Sequence, residues 1–217
     1  MSSPSHHPFW NPSIDSFVNP DFIDITGWTV NLQQVKLGLT AIGGFPSPSD
    51  WSKPANSPGD NVTGDGSYDS QLVSGELPPG FVSPAKSLRL YNTGGTNSAY
   101  GIVHGPYVIS QTAVNLVAGS TVEFWWRALG STDAYDVYGY LLNIGNGSTI
   151  NLLNQTGINT ASSTPWAKNV STIQSGIGGR YRFVFVAGSY DFTGGLAYGA
   201  SLYITGVRVK VPPVVPV

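Results

Sequence analysis

Residues 131–144 read STDAYDVYGYLLNI, and a two-residue alternation runs through them. In an extended chain Tyr135, Val137, Gly139 and Leu141 share one face, while Asp136, Tyr138, Tyr140 and Leu142 share the other. The first face is apolar enough for a core. The second sets two tyrosines side by side, which either fill cross-strand pairs on a sheet surface or offer a flat aromatic platform. The same period governs residues 180–188, RYRFVFVAG, where Tyr181, Phe183 and Phe185 oppose Arg180, Arg182, Val184 and Val186, as suits a half-buried strand.

Working outward, strand signals recur in FVNPDFI (17–23), WTVNLQQVKL (28–37), KSLRLYN (86–92), YVISQTAVNLV (107–117), STVEFWWRA (120–128), STINLLN (148–154) and ASLYITGVRVKV (200–211). Most are β-branched or aromatic, and Gly or Pro interrupts nearly every window long enough for a helix. The expectation is an all-β sandwich of about eight to ten strands with little helix. Trp125 and Trp126 are adjacent, so on a strand they point to opposite faces: one enters the core and the other needs a different partner.

The 217 residues suit a single large β-sandwich with a sizeable core. Only 10% are charged, and the net charge of −2 provides no electrostatic footprint for nucleic acid. The chain has no cysteine, so neither disulfides nor thiolate metal sites contribute. No window approaches the roughly 18 apolar residues of a membrane helix, and the N-terminus lacks the pattern of a secretory signal. A complete small protein that is not exported by the general route is expected.

Residues 1–14 are polar, Pro-rich and aperiodic, and read as an N-terminal arm carrying Phe9 and Trp10 between Pro8 and Pro12. The sandwich is expected over residues 15–211, with a long Pro, Gly, Ser and Asp-rich loop at 43–84 that exceeds an ordinary connection. Pro212, Pro213 and Pro216 cannot continue a central strand, so residues 212–217 read as an extended tail.

The order of these segments resembles the jelly-roll carbohydrate-binding modules, the galactose-binding-like β-sandwiches. The resemblance is carried by NPDF (19–22) followed by GWTV (27–30), SLRLYNTG (87–94) after a long loop, VNLVAGSTVEFWWRA (114–128) and the terminal GASLYITGVRV (199–209). It covers about residues 17–211 and implies a jelly roll, a fold shared by sugar binders, adhesion modules and viral surface proteins. It also implies sugar contacts from aromatic and polar side chains on loops or on one concave face. Many members carry a structural calcium near the early strands and the last one; Asp21, Asp24 and Ser201 fall in comparable segments, with an incomplete ligand pattern.

The sequence gives no ground for catalysis. The two glutamates, Glu76 and Glu123, share no motif, there is no Gly-x-Ser-x-Gly elbow, and phosphate-loop and dinucleotide fingerprints are absent. His104, in IVHGPYV, reads as a turn residue at a strand entrance. Asp60, Asp65 and Asp69 in GDNVTGDGSYD do not match an EF-hand, and turn-forming Asp and Asn explain them. Neither a catalytic residue nor a metal site is assigned, and no cofactor is expected beyond the calcium that the family would allow.

Two roles remain. The preferred expectation is a virion structural protein of a tailed bacteriophage, a decoration or cement protein at the capsid surface, assembled in the host cytoplasm. It would contact the major capsid protein or other virion proteins, form a homotrimer, and use Phe9, Trp10, Pro212 and Pro213 as tethers. The alternative is a glycan-binding adhesion module. Trp51, Tyr138 and Tyr140 are the candidate platform for a glycan or a neighbouring chain, among six tryptophans of a kind favoured at interfaces.

Overall fold

The computed structural model describes residues 19–51, 54, 56–57, 66–93, 100–195 and 199–212. Thirteen strands follow in chain order: β1 (Trp28–Asn31), β2 (Ala41–Ile42), β3 (Phe45–Pro46), β4 (Tyr68–Val73), β5 (Ser87–Asn92), β6 (Ile102–Ser110), β7 (Val114–Leu116), β8 (Thr121–Gly130), β9 (Ala134–Asn143), β10 (Thr149–Thr156), β11 (Ala167–Thr172), β12 (Gly179–Tyr190) and β13 (Ala200–Lys210). No helix occurs among the described residues.

The strands form two antiparallel sheets and one small hairpin. The first sheet has the order β1-β6-β12-β9-β10, with β7 also paired to β12; the second has the order β11-β8-β13-β5-β4; β2 and β3 pair with each other. The chain crosses between the main sheets at six of the eight steps from β5 to β13, which makes the body a jelly-roll β-sandwich. The count exceeds the expected eight to ten because the hairpin, β7 and β4 are short or polar.

Alternation assigns the inner faces. Tyr135, Val137 and Leu141 of β9 and Tyr181, Phe183 and Phe185 of β12 meet Leu88, Leu90, Phe124, Trp126, Leu202 and Ile204 from the second sheet in one core. Phe124 and Phe185 lie edge to face across the sandwich at 4.9 Å. Trp126 enters this core and Trp125 points away, as their adjacency requires.

The two sheets differ in how they meet water. In the second, β8 alternates between half-buried and buried positions from Thr121 to Leu129; in the first, β6 is buried at every residue and β9 at all but its last. The outer face of the first sheet is covered by residues 32–51, whose Val35, Leu37, Ile42 and Trp51 pack on Tyr107, Ile109, Tyr138, Tyr140, Leu142, Val184 and Val186 as a second apolar cluster. This changes the sequence reading of residues 180–188: Arg180 is exposed and Arg182 half-buried as expected, but from Phe183 onward the strand is buried on both faces. The covering segment runs close to β6 at Gly105, whose φ is +114° and whose added Cβ would overlap the Gln33 carbonyl oxygen.

Two further expectations are corrected. The described part of FVNPDFI is a turn, with Asn19 and Phe22 at positive φ. The segment 43–84, expected as one loop, contains β3, the buried Trp51 and the edge strand β4. Strand β4 (YDSQLV) escaped notice because an edge strand with one wet face tolerates polar residues that dilute the alternation. The N-terminal arm with Phe9 and Trp10, and Pro213 of the tail, lie outside the described residues. Pro212 follows the end of β13 at Lys210, consistent with a chain that stops pairing before the prolines.

Phe124→Ala should lower the unfolding free energy by about 3–5 kcal/mol through lost burial and the cavity left against Phe185. Equilibrium urea unfolding checks this.

Candidate functional site

The platform expected at Trp51, Tyr138 and Tyr140 does not face solvent. These residues are 7%, 0% and 2% exposed. Trp51 stacks on Tyr138 with ring centroids 3.8 Å apart and tilts against Tyr140 at 5.8 Å. The three rings thus recognise one another and close the second cluster. Burial, with the nearby Tyr107 phenol, raises the Tyr140 hydroxyl pKa far above its ordinary value.

The residue expected at a turn, His104, lies inside β6 and is fully buried. Its Nε2 lies 2.6 Å from Asp136 Oδ2, which also accepts a hydrogen bond from the Tyr138 hydroxyl at 2.8 Å; the Thr156 hydroxyl donates to Asp136 Oδ1. Asp136 is fully buried, so this network satisfies a carboxylate that would otherwise carry a large desolvation cost.

The outer face of the second sheet is the one that keeps aromatic side chains within reach of solvent. Register places them in rows. Gln71, Arg89, Tyr203 and Arg127 lie across β4, β5, β13 and β8, followed on the next row by Asp69, Tyr91, Ser201 and Leu129. Trp125 lies opposite Thr205 and Lys168. Trp166, just before β11, meets Tyr203 edge to face at 6.3 Å. Tyr91, Trp125 and Trp166 are half-buried, and Tyr203 is 7% exposed between its neighbours. Alternation explains the arrangement: Leu88, Leu90, Phe124, Trp126, Leu202 and Ile204 take the inner positions, which leaves the intervening aromatics outside.

Charges on this face are mostly paired. Arg127 Nη1 donates to Glu76 at 2.7 Å and its Nε to the Thr164 carbonyl. Lys168 and Lys210 flank Glu123 at 3.0 and 3.5 Å. Burial alone would raise the Glu123 pKa, but hydrogen bonds and charge from the two lysines outweigh it and hold the carboxyl below its ordinary value. The segment before β5 covers one end of the face, where Phe81 meets Trp125 at 6.4 Å and Thr205 Oγ1 donates to the Lys86 carbonyl. At the other end a cavity of about 210 Å³ opens between Arg89, Tyr91, Leu129, Gly130, Ser131, Ala200, Ser201 and Tyr203.

A larger cavity, about 370 Å³, lies at the end of the first sheet between Pro54, Asn56, Thr156, Gly157, Ile158, Tyr190 and Phe192. Its polar groups are engaged internally: the Tyr190 hydroxyl donates to Asn56 Oδ1 and the Thr156 hydroxyl to Asp136. What remains is an apolar rim of Ile158 and Phe192, poorer in free hydrogen-bonding groups than the sheet face.

The residues weighed for calcium do not converge. Asp21 forms a two-oxygen ion pair with Arg208 at 2.6 and 2.8 Å, Asp24 accepts from the Thr26 amide and the Asn19 side chain, and Ser201 accepts from Arg89. Asp69 accepts from the Ser70 amide; Asp60 and Asp65 lie outside the described residues. Among the described residues no group of three or more His, Cys, Asp or Glu side chains gathers to hold a metal, and no helix is long and apolar enough to cross a membrane.

The body is thus a jelly-roll β-sandwich with one broad aromatic sheet face. No family model matches the chain and no curated protein matches it. Among solved structures it is similar to a carbohydrate-binding module of the β-sandwich superfamily described for promiscuous specificity, at 8% identity and a TM-score of 0.44, covering 92% of this chain and 61% of that one. It is also similar to the module TmCBM61 in complex with β-1,4-galactotriose, at 11% identity and a TM-score of 0.45, covering 89% of this chain and 96% of that one. A third similar structure is the enzymatically active domain of bacteriophage CBA120 tailspike protein 4, at 11% identity and a TM-score of 0.37; the match covers 92% of this chain and 21% of that one.

Sequence reasoning passed over Tyr91, Trp166 and Tyr203 as site residues, and noted Trp125 only as needing a partner. The available signal was the alternation itself: SLRLYN, VEFWWRA and ASLYITG place arginines and large aromatics at the positions between core residues, where small polar side chains would suffice.

Asp136→Ala should lower the unfolding free energy by about 3–5 kcal/mol, because three polar groups lose a buried acceptor. The shift in the urea midpoint at constant slope would measure it.

Proposed function

We propose that this chain is a non-catalytic carbohydrate-binding module that holds a glycan along the outer face of its second sheet. The observation that carries the reading is the set of Tyr91, Trp125 and Tyr203 on neighbouring rows of one sheet face, with Trp166 beside Tyr203 just before β11, interleaved with hydrogen-bonding side chains. A sugar ring has an apolar face and an equatorial belt of hydroxyls. It is matched by aromatic surfaces flanked by planar donors and acceptors, such as Gln71 and Arg127. Because the strands fix these side chains, little ordering entropy is lost on binding. The virion decoration role preferred on sequence grounds drew on the low charge, the many aromatics and the Pro-rich terminal arms; the aromatic sheet face supports the glycan reading better.

Isothermal titration against soluble galactan, xylan, mixed-linkage glucan and polygalacturonate tests the reading. Saturable binding to at least one polymer is expected. Trp125→Ala and Trp166→Ala should each weaken it about thirtyfold, the effect of losing about 2 kcal/mol from an aromatic hot spot, without a matching loss of fold in thermal melts. Absence of binding across the panel, or binding indifferent to both substitutions, overturns it.

A further inference from the structure

Arg89 differs from the other cations on the same face. Arg127 has Glu76, Arg208 has Asp21, and the two lysines share Glu123, whereas Arg89 has no carboxylate partner among the described residues. Its guanidinium is nevertheless held in place. Nε donates to Ser201 Oγ at 3.0 Å, and the guanidinium carbon lies 4.3 Å from the Tyr91 ring centroid and 5.9 Å from that of Tyr203. Stacking and one hydrogen bond orient the plane, and the terminal nitrogens have no acceptor among the described residues. This side chain lines the 210 Å³ cavity together with Ser131 and the backbone at Gly130.

Two carboxylates on neighbouring segments are engaged elsewhere. Asp69, opposite Tyr91 in register, accepts from the Ser70 amide. Asp133 is buried and accepts from the Phe192 amide beyond β12. A guanidinium held by stacking, with no acceptor for its terminal nitrogens among the described residues, lies beside aromatic rings in a cavity on the order of one sugar residue in size; it matches a carboxylate, which accepts two parallel N–H bonds from an arginine fork.

We propose that this cavity takes the carboxylate of an acidic sugar residue, so that the face selects uronate-bearing glycans over neutral ones of the same linkage. The proposal rests on the reading of the face as glycan-binding. Arg89 accepts the carboxylate in its fork, Ser131 offers a hydroxyl, and Tyr91 and Tyr203 flank the ring.

The test compares polygalacturonate with the same polymer after reduction of its carboxylates to primary alcohols, by titration at fixed ionic strength. The native polymer should bind about tenfold more tightly, the discrimination expected of a charge-assisted pair. In Arg89→Gln the ratio of the two affinities should fall to about one, while Arg89→Lys, which keeps the charge but not the fork, should retain part of it. Equal affinities in the unsubstituted protein would overturn the acidic preference and leave the glycan-binding face standing. A preference that survives in Arg89→Gln would overturn the assignment to this cavity. A parallel titration with free glucuronate, following the Arg89 Nε–H resonance, separates the remaining cases. A shift without binding of any polymer keeps the anion site and removes the extended face; no shift and no polymer binding removes both.

Discussion

Burial of the first sheet on both faces is the constraint from which the rest of the structure follows. Strands β6, β9 and β12 have the inner core on one side and the 32–51 segment on the other. Water cannot reach the middle of these strands, so every polar group there requires a protein partner. Asp136 meets this demand by gathering His104, Tyr138 and Thr156. Asn92, from the facing sheet, donates through its side-chain amide to the carbonyls of Val103 and Gly105. Glycine supplies the room: at Gly188 an added Cβ would overlap the Asp136 carbonyl oxygen and crowd the His104 ring, so this crossing admits no side chain.

The same constraint separates the two outer faces. A sandwich has two outer faces, and here one is used to hold the covering segment through Trp51. That ring stacks on Tyr138 where a sugar would otherwise have to sit. Among the described residues the second sheet carries no comparable cover: those before β5 reach the Trp125 end, and β8 shows the half-buried alternation of a sheet open to water. Similar rings therefore have opposite roles on the two sheets. Tyr138 and Tyr140 serve stability, whereas Tyr91 and Trp166 remain available to a partner.

Much of the fold was legible because period two is a local property. It assigned Tyr135, Val137 and Leu141 to one face of β9, divided Trp125 from Trp126, and stopped the last strand before Pro212. What covers a face is not local. Nothing in DVYGYLLNI distinguishes tyrosines that face water from tyrosines beneath a segment about ninety residues earlier in the chain, which is why Trp51, Tyr138 and Tyr140 read as a platform. His104 was misread for a related reason. The following Gly105 and Pro106 resemble turn punctuation, yet glycine is present there because Gln33 passes close by. The site was half legible: alternation placed the aromatics outside, but only the register of β4, β5, β13 and β8 assembles Gln71, Arg89, Tyr203 and Arg127 into one row.

The division of roles also bears on how tightly such a face could hold a flexible chain. Side chains on loops must be ordered when a ligand arrives, and that entropy is subtracted from the binding energy. On the second sheet it has already been spent during folding: Tyr203 is hemmed by Trp166 and Arg89, and Arg89 is fixed by Ser201 and Tyr91. The strands beneath them are anchored in turn by Phe124, Trp126, Leu202 and Ile204 in the core. The first sheet, covered on its far side, forms a stiff back to that core. The outer face thus stands on side chains buried beneath it, and the stack of Trp51 on Tyr138 closes the opposite face of the same sandwich.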